Sequence, residues 1–348
     1  MGEKRKSNFE LLRIISIFMI ILFHCSWHGG IMESENLLGR ITLDLFNQLG
    51  ELGVNCFVLI SGFFALKTKF KPQKLIELIA QVNFYAVAGI LVLFIAADGE
   101  LLALLKSWIL PVTRGKYWFA TAYILLYVFS PFLKILLENI SQKDHKRLIV
   151  IMLFIWSVVP TLIGINGGME NKLFFNRFIW LVVVYIMGAY LSLYGNRYIR
   201  SKKQAGILMC STVCVSLAFI SIVEATGIGW MEGNYFWPPN SVLQVLGCIG
   251  LFSYFMHVNI PCSRIINYCA SCTMGVYLLH DGILSSFIWK NVLQMNTKTA
   301  SLGLIPYIVM AGVLIFVSGV AVDSIWKIIW KVMNRLYDRC VALVKQHY

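Results

Sequence analysis

Apolar runs of about 20 residues recur along the whole chain, and that is the length an α-helix needs to cross about 30 Å of hydrocarbon. Lipid offers no partner to a free peptide group, so each run must close its own backbone hydrogen bonds as a helix. The runs fall at 9–28, 44–66, 78–97, 117–137, 147–165, 174–194, 206–224, 240–258, 268–289 and 303–326. They predict an all-α polytopic membrane protein, a bundle of about ten transmembrane helices forming one membrane domain over residues 1–348. The piece "LLALLKSWILPV" at 101–112 is too short to span and ends in a proline, which marks an interfacial or re-entrant helix. Composition agrees: 58% of residues are hydrophobic and 14% charged, against roughly a quarter charged in soluble chains.

Loop charge assigns a direction, because Lys and Arg collect on the cytoplasmic side. One side would hold Lys4, Arg5 and Lys6, then Lys67, Lys69, Lys71 and Lys74, then Lys143, Lys146 and Arg147. The same side continues with Arg197, Arg200, Lys202, Lys203 and Arg264, and with Lys327, Lys331, Arg335, Arg339 and Lys345 in the tail. Loops on the opposite side carry only Arg40, Lys106, Arg114, Lys116, Lys172 and Lys298. Both termini are therefore expected in the cytoplasm, and residues 327–348 form a basic amphipathic tail expected to run along the inner leaflet. The net charge of +13 follows from this sorting and from anionic lipid, so no nucleic-acid partner is expected. No small-residue cleavage site follows the first apolar run, which is expected to stay as the first span. Most cysteines lie in the spans at no zinc-like spacing, and no structural disulfide is expected. No linker divides the chain, no fused soluble domain is expected, and no internal repeat is evident.

The polar residues inside the spans are the functional candidates, since an arginine at mid-membrane costs about 2.5 to 3.5 kcal/mol on insertion scales. Arg13 and His24 stand eleven residues apart in the first span, "LLRIISIFMIILFH". At about 100° and 1.5 Å per residue they share one helix face, about 16 Å apart along the axis. That face joins a cation near the cytoplasm to an acid/base group in the outer half. The competing readings are snorkelling or pairing with Glu10 for Arg13 and interhelical hydrogen bonding for His24. His28 follows His24 at a zinc-compatible i+4 spacing, but no further ligands are evident and no metal is expected. In the second span Glu51 and Asn55 lie at a depth where one of them could accept a hydrogen bond from His24 and fix its tautomer. Gly50, Gly53 and Gly62 there would permit a close helix contact. His280 and Asp281, adjacent in "GVYLLHDGIL", point about 100° apart and call for a wet cavity. The loop "TGIGWMEGNYFWPPN" at 226–240 carries Trp230 and Trp237, either interfacial anchors or a platform for a sugar ring.

These segments resemble the acyltransferase-3 family of bacterial membrane acyltransferases. Arg13 and His24 match its Arg, ten residues, His pattern, and "GVNCFVLISGFF" resembles its Gly-Val, aromatic, Leu-Ser-Gly-Phe signature. "KYWFATAYILLYVFSPFL" resembles its Trp-Phe span, and "GVYLLH" its late Tyr-Leu-x-His segment. The resemblance implies O-acylation, usually O-acetylation, of a cell-surface carbohydrate at the bacterial plasma membrane. It also implies acetyl-CoA or another acyl-CoA as cytoplasmic donor and no tightly bound cofactor. The family's donor-associated Arg-x-x-Arg motif is replaced here by Lys71-Pro72-Gln73-Lys74, which keeps charge but loses the bidentate fork.

The resulting expectation places the donor at Arg13, Lys71 and Lys74 and the chemistry at His24, Glu51 and Asn55. The acceptor, a surface glycan or lipid-linked saccharide, would meet Arg114, Tyr117, Trp118, His280, Asp281, Trp230 and Trp237. His24 would act as general base or as the group transiently acylated. A glycolipid transporter or flippase, or a membrane module relaying a small molecule, is the competing reading, and the missing repeats count against transport.

Overall fold

The computed structural model describes residues 7–32, 36–96, 100–163, 176–226 and 235–346. Among them the chain is helical, with α1 (Ser7–Trp27), α2 (Leu37–Ala65), α3 (Pro72–Ala96), the short α4 (Leu101–Trp108), α5 (Trp118–Asn139) and α6 (Gln142–Leu153). A π-helical segment, Phe154–Val158, joins α6 to α7 (Val159–Ile163). Then come α8 (Arg177–Tyr194), α9 (Lys202–Thr226), α10 (Val242–Met256), α11 (Arg264–Ser271), α12 (Thr273–His280) and α13 (Ile305–Gln346). Pro160 explains the π-helical turn: it has no amide hydrogen to give to the preceding turn, and a widened turn accommodates its ring.

Eight of the described helical segments are long and apolar enough to cross a membrane. The remaining two expected spans differ in form. Residues 240–258 give only the fifteen-residue α10. Residues 268–289 form no single helix: α11 and α12 meet at Cys272, and α12 stops at His280 before a π-helical turn at Phe287–Val292. The break has a local cause. Gly282 lies against the Tyr117 ring, where a Cβ would come within 2.0 Å of Cε1, and Trp289 Nε1 donates to the His280 carbonyl (3.1 Å), satisfying an end that has lost its helix. The tail continues the last span. α13 runs unbroken for 42 residues, about 63 Å, so the span and the basic residues after 326 belong to one helix.

The two helices at the centre touch without intervening side chains. A Cβ on Gly53 of α2 would lie 2.5 Å from the Ser16 carbonyl oxygen of α1, and one on Gly50 would lie 2.2 Å from the Phe23 Cβ. Apolar side chains gain little from leaving lipid for another helix, so such backbone approach supplies the dispersion contact that holds membrane helices together. α2 meets α8 in the same way, Gly188 seating against the Leu59 carbonyl. Around this centre the outward faces of α3, α5, α9 and α13 expose large apolar residues such as Ile95, Phe132, Ile207 and Val317, as a lipid-facing surface requires.

A buried polar staple fixes α13. Asp323 is fully buried and accepts from Gln81 Nε2 of α3 (2.6 Å). Lys327 pairs with it (3.2 Å) and donates to Ser271 Oγ (2.7 Å) and Cys272 Sγ (2.9 Å) at the α11–α12 junction.

Two predictions follow from this architecture. Gly53→Val should cost on the order of 1–3 kcal/mol through overpacking at Ser16, read as a lower melting temperature of the purified protein in detergent. A cysteine placed at Lys298 should react with an impermeant maleimide added outside intact cells, whereas one placed at Lys143 should react only after the membrane is opened.

Candidate active site

His24 sits in the last turns of α1 with 5% of its surface exposed. It opens onto a small cavity lined by four helices besides its own. Along α1 the lining residues are Ile17, Ile20, Phe23 and His24; Ile17, Ile20 and His24 continue the helix face that begins at Arg13, at intervals of four, three and four. α2 contributes Glu51, Val54 and Phe57, α5 contributes Trp118 and Phe119, α8 contributes Arg177, and α12 contributes Thr273, Met274 and Tyr277. The walls are mostly apolar, with an imidazole, a carboxylate and a guanidinium among them.

Behind His24 lies a second imidazole and a carboxylate. Asp281 Oδ1 is 3.6 Å from His24 Nε2 and 2.7 Å from His28 Nε2. The shorter contact is a hydrogen bond; an ionised carboxylate only accepts, so His28 carries its proton on Nε2. The Asp281 amide itself donates to the Tyr277 carbonyl (3.1 Å), which holds the carboxylate at the broken end of α12. His280 is fully buried, its Nδ1 lies 2.6 Å from the Val276 carbonyl, and its ring centroid is 5.1 Å from that of His24.

Three polar atoms around this site have no hydrogen-bond partner among the described residues: His24 Nδ1, Glu51 Oε2 and His280 Nε2. Buried polar atoms are paired in the great majority of cases. A concentration of unpaired ones beside a cavity marks a place built to receive polar groups.

Asn55 departs from the sequence expectation. It does not meet His24: its Oδ1 accepts from Trp180 Nε1 (2.8 Å) and its Nδ2 donates to the Pro239 carbonyl (2.7 Å). Both ends of the amide are used, so Asn55 positions α8 and the loop before α10. Glu51 does line the cavity, but the carboxylate beside His24 belongs to Asp281.

Of the other candidates, Trp118 lines the cavity, while Tyr117 is fully buried beside it, 5.5 Å from the Trp108 ring. Trp237 packs on Phe23 and Trp27 at 5.9 and 5.3 Å and reaches the site through Phe23. Arg114 is exposed and donates to the Lys106 carbonyl (2.6 Å), tying its own loop together rather than lining the cavity. Trp230, with Lys4 to Lys6 and Lys172, lies outside the described residues.

The donor-side candidates lie away from the cavity lining. Arg13 is held by Glu10 at 3.1 Å. Lys74 pairs with Glu77 at 3.2 Å, and the Lys71 amide donates to Tyr127 Oη (2.9 Å) with the residue itself exposed.

Sequence reasoning passed over Arg177. It is the first residue of α8, after Asn176, whose Oδ1 caps the helix by accepting from the Ile179 amide (2.8 Å). Its guanidinium lies 4.5 Å over the Trp118 ring. The signal was available: an arginine at the end of a span on the side where basic residues are scarce runs against the charge bias. His28 was also undervalued, because its carboxylate partner lies 253 positions away.

No curated protein and no solved structure matches the chain. The model of a family described as an acyltransferase domain matches residues 6–323 of the 348, taking in the Arg13–His24 helix and the His280–Asp281 turn. With His24 facing a cavity inside a bundle of apolar helices, the chain belongs to the acyltransferase-3 family and is a membrane acyltransferase.

Proposed function

We propose that this protein moves an acyl group, most simply acetyl, from cytoplasmic acyl-CoA to a hydroxyl of a bacterial cell-envelope carbohydrate, with His24 as general base. The observation that carries the reading is the pairing of a buried, cavity-facing His24 with Asp281 behind it. In this reading His24 carries its proton on Nε2, which faces the Asp281 carboxylate at 3.6 Å, and uses as base the lone pair of Nδ1, which has no partner among the described residues. Asp281 then stabilises the imidazolium that forms when the base takes a proton, the role a carboxylate plays beside a catalytic histidine.

In this reading the donor's phosphates meet the Lys67–Lys74 loop at the cytoplasmic end, and Arg13 starts the helix face that leads from there to His24. The pantetheine arm follows the α1 face through Ile17 and Ile20, over the roughly 16 Å that separate Arg13 from His24. The acceptor hydroxyl attacks the thioester carbonyl, a C–O bond replaces the C–S bond, and the hydroxyl proton passes to His24 and then to the departing thiolate. Arg177 faces the developing oxyanion. Glu51, with an unpartnered oxygen in the same cavity, accepts from neighbouring sugar hydroxyls and orients the ring.

Mass spectrometry of envelope glycans from cells with and without the gene identifies the transferred group. Loss of an acyl group while the glycan persists is the expected result; loss of the whole glycan indicates transport instead. His24→Ala should abolish the modification in a protein that is expressed and monodisperse. Asp281→Asn, which keeps the side chain's shape, should lower turnover by about 10²–10⁴-fold, the range contributed by a positioned acid/base group. Arg177→Ala should lower turnover by about 10²–10³-fold, as does removal of one oxyanion donor elsewhere. Wild-type turnover in Arg177→Ala removes that role.

A further inference from the structure

We propose that His24, His28 and Asp281 form a binding site for a divalent transition-metal ion of the zinc class. Two imidazoles at i and i+4 on one helix provide two ligands but no enclosure; what the fold adds is a carboxylate from the end of α12. One ligand atom each from His24, His28 and Asp281 lies within 4.8 Å of the others, and Nε2 is the nitrogen that each histidine turns to Asp281. Ligands at zinc bond lengths of 2.0–2.1 Å in a tetrahedron stand about 3.3 Å apart. The two contacts to Asp281, 2.7 and 3.6 Å, straddle that value, and the two imidazoles, whose ligand atoms stand within 4.8 Å, would draw together by about 1.5 Å to centre an ion. Two histidines and one carboxylate also leave a coordination position open for water, the donor set of many zinc centres.

The surroundings favour a site over a chance cluster. His24 and Asp281 side chains are 7% and 6% exposed, which excludes competing water, while His28 at 32% exposed gives a way in. The Asp281 position is fixed by its backbone at the broken end of α12 and by Gly282 against Tyr117, so the third ligand does not depend on a flexible loop. His280, buried with Nε2 unpartnered, packs its ring 5.1 Å from that of His24, adding a further imidazole around the pocket.

Metal binding and base catalysis exclude each other. A neutral imidazole has one lone pair and one N–H. An ion on His24 Nε2 leaves the proton on Nδ1, removing the lone pair that the proposed reaction needs. This consequence rests on the acyltransfer reading above; the binding itself does not.

The experiment uses the whole chain in lipid nanodiscs, stripped with chelator and titrated with Co²⁺, followed by displacement with Zn²⁺. One Co²⁺ per chain is expected, with a four- or five-coordinate visible spectrum lacking a thiolate charge-transfer band, so that cysteine sites are distinguished. His28→Gln and Asp281→Asn should each weaken binding by about 100-fold or more, at least the loss seen when metal sites are disturbed at their second shell. No stoichiometric binding by the wild-type protein overturns the proposal whatever the variants do. Equal binding in well-folded variants overturns the assignment of these ligands. In the transfer assay Zn²⁺ should abolish turnover and chelator should restore it; full turnover by the zinc-loaded protein overturns the exclusion. A protein that binds Co²⁺ as described but shows no acyl transfer refutes the acyltransfer reading alone.

Discussion

At Gly53 the backbone of α2 comes so close to the Ser16 carbonyl of α1 that no side chain fits between them, and that contact sets His24 of α1 beside Glu51 of α2 in one cavity. Three residues earlier Gly50 receives Phe23, which turns the next residue, His24, towards the cavity that Glu51 also lines. One turn beyond Glu51, Asn55 grips Trp180 and so sets the start of α8, where Arg177 stands. In water a hydrophobic core would press these helices together; in lipid, close backbone approach and interhelical hydrogen bonds have to do so. Small residues and an amide are what these contacts require.

The treatment of buried charge separates structure from chemistry. Asp323 is satisfied by Gln81 and Lys327, and Arg13 by Glu10. Each is a charge held in a pair, which makes it tolerable away from water. Around the cavity the pattern reverses. Glu51 Oε2, His24 Nδ1 and His280 Nε2 are buried without hydrogen-bond partners among the described residues. Leaving a buried polar atom unpaired costs about 1–3 kcal/mol, a cost that a polar ligand in the cavity would offset.

Much of this was legible in the chain. The helical class came from the length of the apolar runs, and the shared face of Arg13 and His24 from helix periodicity alone. The glycines of the second span announced the close contact that Gly50 and Gly53 make. What failed to show was pairing. Asn55 stood at the right spacing from Glu51 to serve His24, yet it is taken up by Trp180 and Pro239. The lysines at 71 and 74 look like one patch with Arg13 by charge, but their contacts lie with Tyr127 and Glu77. Residues 268–289 are apolar enough for a span, and hydropathy is blind to the Gly282–Tyr117 contact and the Trp289 hydrogen bond that accompany its break.

The sequence by itself determined that this chain lies in a membrane, where its helices run, and that His24 is an acid/base group on the same face as a cation one membrane leaflet away. Those are properties of single helices and depend on residues a few positions apart. Only the tertiary structure decided which carboxylate stands behind His24, that Arg177 shares its cavity, and that His28 has a partner. The physical reason is the separation: Asp281 and His28 are 253 residues apart, and a hydrogen bond between them exists only once the glycine contacts and the broken end of α12 have brought two distant helices to the same few ångströms.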